Sequence, residues 1–316
     1  MKNTLFLGNG LFRIKTKCEK RIGCEGRDKS WADLLAEIAF HVQDVFNSDR
    51  PMPVEYDRLI ASLVRNQDSL RDYYSLEGRN DAWKQILNPD DPVKSGDMEH
   101  RVKRFVAGWF NERSYCAPDI LDAALKLKND FVLTSNYDLR IENCYEGIKR
   151  SGSCLSTCPV LHIHGSIDDV SSIVLGQSDY LKSAVKMDEI VRSWSGPFSG
   201  FVERDWPLLF LGTDVFILGF GFGLDEIDLW HLLHLRLLWF NDHPDIKPNA
   251  IRYYGLYRSG EPSFRVSDPA RYDLFSTYGV KIIDVPVYKG DYEEAYRVAI
   301  DLIADAMNDK DDGAAN

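Results

Sequence analysis

The feature that most constrains the fold is a repeated change in hydrophobic spacing along the chain. Short, uninterrupted apolar runs alternate with longer segments in which apolar residues recur at helical spacing. Strands that are covered by helices on both faces read as uninterrupted apolar runs, because neither face meets water. The alternation therefore predicts an α/β fold, with a Rossmann-like, mostly parallel sheet and helices on both faces. The predicted strands are 4–7, 131–135, 160–163, 173–175, 214–218, 251–256 and 281–287.

The segments between these runs predict helices and one insertion. Ser30 is a suitable N-cap for the first helix, with Asp33 in the capping-box position. Residues 50–115 are charged, have helical spacing and are broken near their middle by proline and glycine, which indicates a helical insertion. We interpret the chain as a single domain over 1–307 with this insertion and a disordered polar tail over 308–316. The other predicted helices are 31–46, 118–128, one ending near 240, 272–278 and 292–307.

The acidic composition argues against nucleic acid as the main partner. The chain has Asp+Glu 49 against Lys+Arg 38, for a formal net charge of −11. Domains that bind phosphate backbones usually present a basic surface, so direct nucleic-acid binding is not expected.

The hydrophobic segments do not resemble those of a membrane protein or of an exported one. The longest apolar run, 229–240, is interrupted by His231, His234 and Arg236 and is shorter than a membrane span requires. The first apolar run is short and broken by Gly8, unlike a secretion signal. These features predict a cytoplasmic protein that does not interact with a membrane.

The cysteines predict free thiols. Six cysteines are scattered along the chain, and none belongs to a Cys-x-x-Cys pair. A zinc site built from Cys144, Cys154 and Cys158 is conceivable, but their spacing matches no common zinc motif. No metal ion is expected.

Four polar clusters follow predicted strands, where an open parallel sheet binds its ligands. The first is Gly8-Asn9-Gly10. Two glycines allow a sharp turn and let backbone N–H groups approach a phosphate, although an ordinary strand-to-turn connection is the alternative. The segment 13–29 that follows is net basic, which suits either a pyrophosphate or a solvated loop.

The second cluster, 134–138, contains Asn136 and Asp138 directly after a buried strand. An asparagine side chain both donates and accepts hydrogen bonds, so Asn136 is suited to orient a water molecule or to bind a ribose hydroxyl. Asp138 is suited to hold a neighbouring loop or to bind a sugar. The alternative is that either residue caps a helix beginning near Leu139.

The third cluster contains His162 and His164, followed by Gly165. If the strand continues, both histidines lie on the same face, and Gly165 lets the chain turn away after His164. A histidine at a strand end is suited to act as a general base, so His164 is a candidate catalytic residue and His162 a structural one. A metal site formed by the two histidines with the aspartates of 168–169 is the alternative.

The fourth cluster is the glycine-rich run 219–223, with Gly219 and Gly221, which leads into a helix containing Asp228. It has only part of the spacing of a dinucleotide-binding fingerprint. The helix after it is apolar on nearly all faces, so its large residues are predicted core.

The order of these four clusters resembles the bacterial sirtuin-like family, notably a divergent branch associated with NAD-depleting defence against phage. The resemblance covers roughly 4–240 and is poor over 50–115. It implies a Rossmann-like sheet with a smaller helical module, and NAD as the substrate.

The resemblance also implies roles for the site residues. Gly8, Asn9 and Gly10 would approach the NAD phosphates. Asn136 would contact the nicotinamide ribose and the attacking water, Asp138 would support that loop, and His164 would be the catalytic base. Gly219 and Gly221 would border the adenosine half of NAD, with Asp228 as a polar contact there.

Two departures from the deacylating sirtuins favour hydrolysis of NAD. The first motif is Gly-Asn-Gly where those enzymes have Gly-Ala-Gly, and the two Cys-x-x-Cys pairs of their zinc-binding module are missing. The resemblance therefore implies an NAD glycohydrolase that releases nicotinamide and ADP-ribose. The alternatives are a non-catalytic NAD or ADP-ribose sensor, a deacylase or ADP-ribosyl transferase, and a metal-dependent hydrolase.

Depletion of NAD would kill the host if it were not controlled. The resemblance therefore suggests regulation by homo-oligomerisation, by the 50–115 insertion, or by a partner such as an ATPase or a phage trigger protein.

Overall fold

The computed structural model describes residues 2–13, 103–104, 106–108, 110, 119–150, 158–175, 177–194, 203–224 and 226–308. The predicted first helix, nearly all of the basic segment and of the 50–115 insertion, and residues 309–316 lie outside these ranges. The described residues between 103 and 110 are helical, as predicted for the insertion.

The sheet has six parallel strands in the order β3-β2-β1-β4-β5-β6. The chain moves outward in one direction from β1 to β3 and then returns to the other side of β1 with β4. β1 and β4 therefore flank the point at which the strand order reverses, where α/β sheets bind their ligands. The strands are β1 (Asn3–Leu7), β2 (Phe131–Thr134), β3 (Val160–His162), β4 (Asp214–Leu218), β5 (Ile251–Arg258) and β6 (Val280–Val287).

Helices cover both faces of the sheet, which confirms the predicted Rossmann-like α/β fold. Three short 3-10 helices, Asn9–Arg13, Val170–Ser172 and Glu203–Leu208, complete the described elements. The α-helices are α1 (Asp119–Leu125), α2 (Arg140–Arg150), α3 (Gln177–Ser193), α4 (Leu209–Gly212), α5 (Ile227–Asp242), α6 (Phe264–Ser267), α7 (Pro269–Thr277) and α8 (Tyr292–Asn308).

The central strands are buried on both faces because their side chains alternate between two hydrophobic clusters. Along β4, Val215 and Ile217 pack towards α3, α5 and α7, whereas Phe216 and Leu218 pack towards α1 and α8. All five residues of β4 are buried. This two-sided burial explains why the strands are uninterrupted apolar runs in the sequence.

The predicted strand at 173–175 is wrong. Two backbone N–H groups of this segment are used elsewhere: that of Val174 donates to the carbonyl of His164 at 2.8 Å, and that of Leu175 donates to the carboxylate of Asp179 at 3.3 Å. The segment therefore connects the His164 loop to the beginning of α3. The sequence analysis did not predict α3 itself.

Helix α5 is the most deeply packed of the long helices. Leu229, Leu232 and Leu233 are buried, and the guanidinium of Arg236 is buried with them, where it donates to the carbonyl oxygens of Phe210 and Asn249. Burial lowers the pKa of Arg236 to about 10. Within the described ranges, no helix is both long enough and apolar enough to cross a membrane.

The loops after β1 and β4 are in direct backbone contact. The N–H of Gly8 donates to the carbonyl of Leu218 at 3.0 Å, and that of Gly10 donates to the carbonyl of Gly219 at 2.7 Å. A Cβ atom added to Gly8 would lie 2.3 Å from the Cα of Phe220. The two glycines are therefore needed for the approach of two loops, and the expectation that their own N–H groups bind a phosphate is not supported.

This contact predicts that Gly8→Ala destabilises the protein, because the new methyl group would collide with backbone atoms that cannot move aside easily. We expect a loss of about 1–3 kcal/mol in the free energy of unfolding, measured by urea denaturation. Gly221→Ala is the matched control, since nothing lies within 4 Å of a Cβ at that position, and we expect a change of no more than about 0.5 kcal/mol. Equal denaturation midpoints for the two variants would contradict the prediction.

Candidate active site

Three polar loops meet beyond the carboxyl ends of the strands. One follows β2 and contains Asn136 and Asp138, and one follows β3 and contains His164. The third runs from β4 to α5 and ends at Glu226, with Asp228 following in the first turn of α5. The β2 and β3 loops are joined by a hydrogen bond from the N–H of Ile163 to the carbonyl of Thr134 at 2.9 Å. The β3 loop meets the third through His164.

Asn136 is held by its backbone and leaves its side-chain amide without a protein partner. Its N–H donates to the hydroxyl oxygen of Thr134 at 3.1 Å, and its carbonyl lies 2.6 Å from Nδ1 of His162. The residue is 8% exposed, and its buried Nδ2 has no hydrogen-bond partner within the described part of the chain. Since an unpaired buried donor costs about 1–3 kcal/mol, this amide is suited to bind a ligand or a water molecule.

His164 lies in a turn just beyond β3 and is only 2% exposed. Gly165, with φ +86, takes the left-handed conformation that turns the chain away after the histidine. Nε2 of His164 lies 3.3 Å from Oδ2 of Asp228 and 3.7 Å from Oε2 of Glu226. The ring of Tyr180 meets the imidazole edge-on, with ring centroids 5.2 Å apart.

The environment of His164 favours its protonated form. Burial by itself lowers the pKa of this imidazole, but the carboxylates of Asp228 and Glu226 together outweigh burial and raise the pKa above its ordinary value of 6.5. One side-chain nitrogen or carboxylate oxygen from each of the three residues lies within 4.8 Å of the other two. Because the Nε2–Oδ2 distance is that of a direct ion pair, we interpret this cluster as an ion-paired histidine.

Asp138 supports the β2 loop through Arg140. Its carboxylate oxygens accept hydrogen bonds from Nε and Nη2 of Arg140 at 2.8 and 2.7 Å, and from the N–H of Arg140 at 3.1 Å. The carboxylate thus also caps the beginning of α2, as the helix-capping alternative predicted. The guanidinium of Arg140 lies over the ring of Phe12, 4.2 Å from its centroid, which ties this loop to the segment after β1.

His162 and His164 do not act as a pair. β3 ends at His162, and the alternation expected for a longer strand does not reach His164. His162 instead contacts Glu142 through Nε2 at 2.7 Å, in addition to the carbonyl of Asn136. Asp169 accepts hydrogen bonds from Ser171 and caps the 3-10 helix Val170–Ser172. The metal site predicted as an alternative from the two histidines and 168–169 is therefore not assembled.

The described cysteines, Cys144 and Cys158, are half-buried free thiols. Burial raises the pKa of Cys144 to about 11, and Sγ of Cys158 lies 2.7 Å from the hydroxyl of Tyr145. Cys154, the third member of the conceivable zinc site, lies outside the described ranges.

The run 219–223 is a loop held from both sides. Gly219 has φ +70 and contacts the β1 loop, whereas the carbonyl of Gly221 accepts a hydrogen bond from Nη1 of Arg271 in α7 at 2.7 Å. Phe222 has φ 45 and is buried. The hydrogen bond from Arg271 therefore fixes the loop that leads to Glu226 and Asp228.

The contact that Asp228 makes with His164 was not predicted. The side chain is fully buried and lies against His164, while the polar contact at the adenosine half of NAD that the resemblance implied stays a prediction. Glu226 was not predicted at all. Two acidic residues around the beginning of a helix were the available signal, but the sequence did not show which strand end they would face.

Comparison with known protein families finds a match in the part of the chain that contains most of these residues. A model of the SIR2-like domain matches residues 130–234, from the beginning of β2 to within α5. This segment contains Asn136, Asp138, His164 and Asp228, whereas Gly8–Gly10 lies outside it. The match supports a sirtuin-like family, whose SIR2-like domains use NAD. None of the curated proteins compared with the chain matches it significantly.

The buried ion pair predicts that Asp138→Asn destabilises the fold. The side chains of Arg140 and Asp138 are 10% and 4% exposed, so the substitution removes a buried negative charge that lies directly against the guanidinium. We expect a loss of about 3 kcal/mol in the free energy of unfolding, measured by urea denaturation. The double variant Asp138→Asn/Arg140→Met is expected to lose less free energy of unfolding than the single variant, because it also removes the buried positive charge. A single variant as stable as the wild type would contradict this role.

The contact between His162 and Glu142 predicts a pH-dependent effect of Glu142→Gln. Burial lowers the pKa of His162, but Glu142 outweighs burial and raises it above 6.5. A histidine pKa that is raised in the folded state stabilises the protein below the unfolded-state pKa, and this stabilisation is lost as pH rises through the folded-state pKa. In thermal unfolding, Glu142→Gln should therefore lower the melting temperature more at about pH 5.5 than at about pH 9. An equal loss at both would contradict the account of His162.

Proposed function

We propose that this protein is an NAD glycohydrolase, which uses water to cleave the bond between nicotinamide and ribose. The observation that carries the proposal is the buried Nδ2 of Asn136, which has no hydrogen-bond partner among the described residues, on the loop beside the ion-paired His164 and within the segment that matches the SIR2-like domain. Asn136 and His164 are the proposed catalytic residues. Both lie beyond strand ends, where this sheet type binds nucleotides.

The charges of the site suit the departure of nicotinamide, which is a cationic pyridinium group while it is bonded to the ribose of NAD. As the C1′–N bond breaks, nicotinamide leaves as a neutral molecule with the bonding electron pair, and positive charge develops on the ribose. Protonated His164 with Asp228 and Glu226 has a net negative charge, and neutral His164 leaves the site still more negative. Fixed negative charge in a buried site stabilises such a cation.

Asn136 and His164 then complete the reaction with water. Asn136 positions the water at C1′, and a neutral His164 accepts its proton while the oxygen bonds to C1′. The products are nicotinamide, ADP-ribose and one proton, which His164 passes to solvent. No step requires a metal ion.

The loops after β1 and β4 are proposed to border the rest of the dinucleotide. The N–H groups of Gly8 and Gly10 already donate to the end of β4 and the loop after it. These two residues, with Asn9, would therefore shape the phosphate side of the site without donating those two N–H groups to the phosphates. Gly219 and the exposed Gly221 would border the adenosine half.

We further propose that the activity serves defence against phage by depletion of NAD in the cytoplasm. Support comes from the resemblance of the ordered motifs to the divergent sirtuin-like branch and from the absence of paired cysteines in the sequence. Control by a homo-oligomer, a partner ATPase or a phage trigger protein belongs to the same proposal.

The proposal predicts that the purified protein converts NAD to nicotinamide and ADP-ribose, separated by chromatography. Asn136→Ala and His164→Gln should each lower the rate by about 100-fold or more, because each removes a group that acts on the attacking water. His231→Gln, a partly exposed histidine on α5, is the matched control and should retain the wild-type rate. Each variant is compared with the wild type by thermal unfolding.

The other outcomes separate the alternatives. Loss of activity in EDTA would indicate a metal-dependent hydrolase. Release of nicotinamide with ADP-ribose attached to an added protein or peptide would indicate a transferase. Wild-type protein that binds NAD but leaves it intact at every pH, with or without cell extract, would contradict the hydrolase and favour a sensor.

A further inference from the structure

We propose that Asp228 and Glu226 are positioning residues for His164: Asp228 holds the proton on Nε2, so that Nδ1 is the basic atom, and Glu226 adds a second negative charge. This inference rests on the proposed function for its kinetic consequence. Asp228 and Glu226 are separate from Asn136 and His164, the two residues on which the proposed function depends.

The two carboxylates differ in their burial and in their distance from His164. Asp228 is completely buried and lies 3.3 Å from Nε2, whereas Glu226 lies 3.7 Å from Nε2 and its side chain is 19% exposed. The other carboxylate oxygen of Asp228 accepts the N–H of Leu229 at 2.8 Å, so the orientation of this side chain is fixed by its own helix. Asp228 is thus placed to orient the imidazole, and Glu226 acts mainly through its charge.

Both carboxylates lie at the beginning of α5, Glu226 at the N-cap position and Asp228 in the first turn. Residues in the first turn of a helix lie at the positive end of its dipole, where negative charge is stabilised. The indole Nε1 of Trp230 donates to the carbonyl of Gly223 at 2.8 Å, which anchors this turn to the preceding loop. The carboxylates are therefore presented to His164 from a rigid element.

Among the described residues, the other titratable groups around His164 do not supply a competing cation. From α3, Tyr180 contributes its ring, and Asp179 is ion-paired with Lys103 at 2.9 Å. From the β2 loop comes Tyr137, whose pKa is raised by burial and then by the charges of Glu226, Asp179 and Asp228. Tyr137 therefore stays neutral and donates its hydroxyl hydrogen to the carbonyl of Val174 at 2.7 Å.

The arrangement fixes which imidazole nitrogen can take a proton. Nε2 of His164 and Oδ2 of Asp228 are 3.3 Å apart and buried, and neither makes a hydrogen bond within the described residues, so the pair is an ion contact. A carboxylate in this place attracts the imidazole proton to Nε2 and leaves the lone pair on Nδ1. In the hydrolysis, Nδ1 takes the proton of the attacking water, and the imidazolium that forms keeps its Nε2–H towards Asp228. The same carboxylates stabilise the imidazolium before the reaction, so the base is available only above the pKa of His164.

Rates of NAD cleavage measured across pH test the inference. Asp228→Asn should lower kcat by about 10- to 100-fold with little change in KM, because a carboxamide can also stabilise the wrong tautomer. It should also move the acidic midpoint of kcat/KM down by about one pH unit, because His164 loses a counter-charge. Glu226→Gln should move the midpoint in the same direction with a smaller loss of kcat.

Asp188→Asn is the matched control, since Asp188 lies 3.9 Å from the partly exposed His231 and does not contact His164. It should change neither the midpoint nor kcat. A loss of kcat in Asp228→Asn with an unchanged midpoint would overturn the inference and leave the proposed function intact.

A titration that needs no activity separates the two proposals. The chain has seven histidines, so NMR of histidine-labelled protein can assign His164 by its loss in His164→Gln. The pKa of His164 should lie above 6.5 in the wild type and should fall in Asp228→Asn and Glu226→Gln. Identical titrations in all three proteins would overturn the inference, whether or not the protein cleaves NAD.

Discussion

The contact between His164 and Asp228 holds the candidate site together. β3 and β4 are separated in the sheet by β2 and β1, yet the turn after His162 brings His164 to the beginning of α5. Because the two side chains are almost completely buried, their charges are poorly screened, and Asp228 raises the pKa of His164. The loops after β2 and β4 are then fixed by local contacts, namely the Asp138–Arg140 ion pair and the hydrogen bond from Arg271.

The sequence was sufficient to predict the sheet wherever burial on both faces made a strand a continuous apolar run. β4 was predicted to the residue, and the predicted ends of the other strands differ from the observed ones by one or two residues. The segment 173–175 is also a continuous apolar run, but two of its N–H groups donate to His164 and to Asp179. These hydrogen bonds depend on the tertiary structure, which the apolar pattern of the segment does not show. α3 has few buried apolar residues, Met187 and Val191 among them, so its spacing gave little signal.

The site was predictable in its residue types and not in its contacts. Asn136 and His164 were predicted as site residues because polar residues that end buried strands lie where such sheets bind ligands. The glycines of the first loop were predicted to approach a phosphate, but close approach to another loop requires the same residues, and Gly219 and Phe220 occupy that position. The role of Asp228 and the whole contribution of Glu226 depend on a contact between distant segments, which spacing within one segment does not reveal.

The central claim is that Asn136 and His164 face the nicotinamide ribose of one bound NAD molecule. A crystal structure with a carbocyclic NAD analogue, in which the scissile bond resists hydrolysis, tests this most directly. We predict that the carbon equivalent to C1′ lies within about 4 Å of the Asn136 side chain or of the water it holds, with Nδ1 of His164 in reach of that water. An analogue that places its adenine at these residues, or its nicotinamide ribose beyond the reach of both, would contradict the claim.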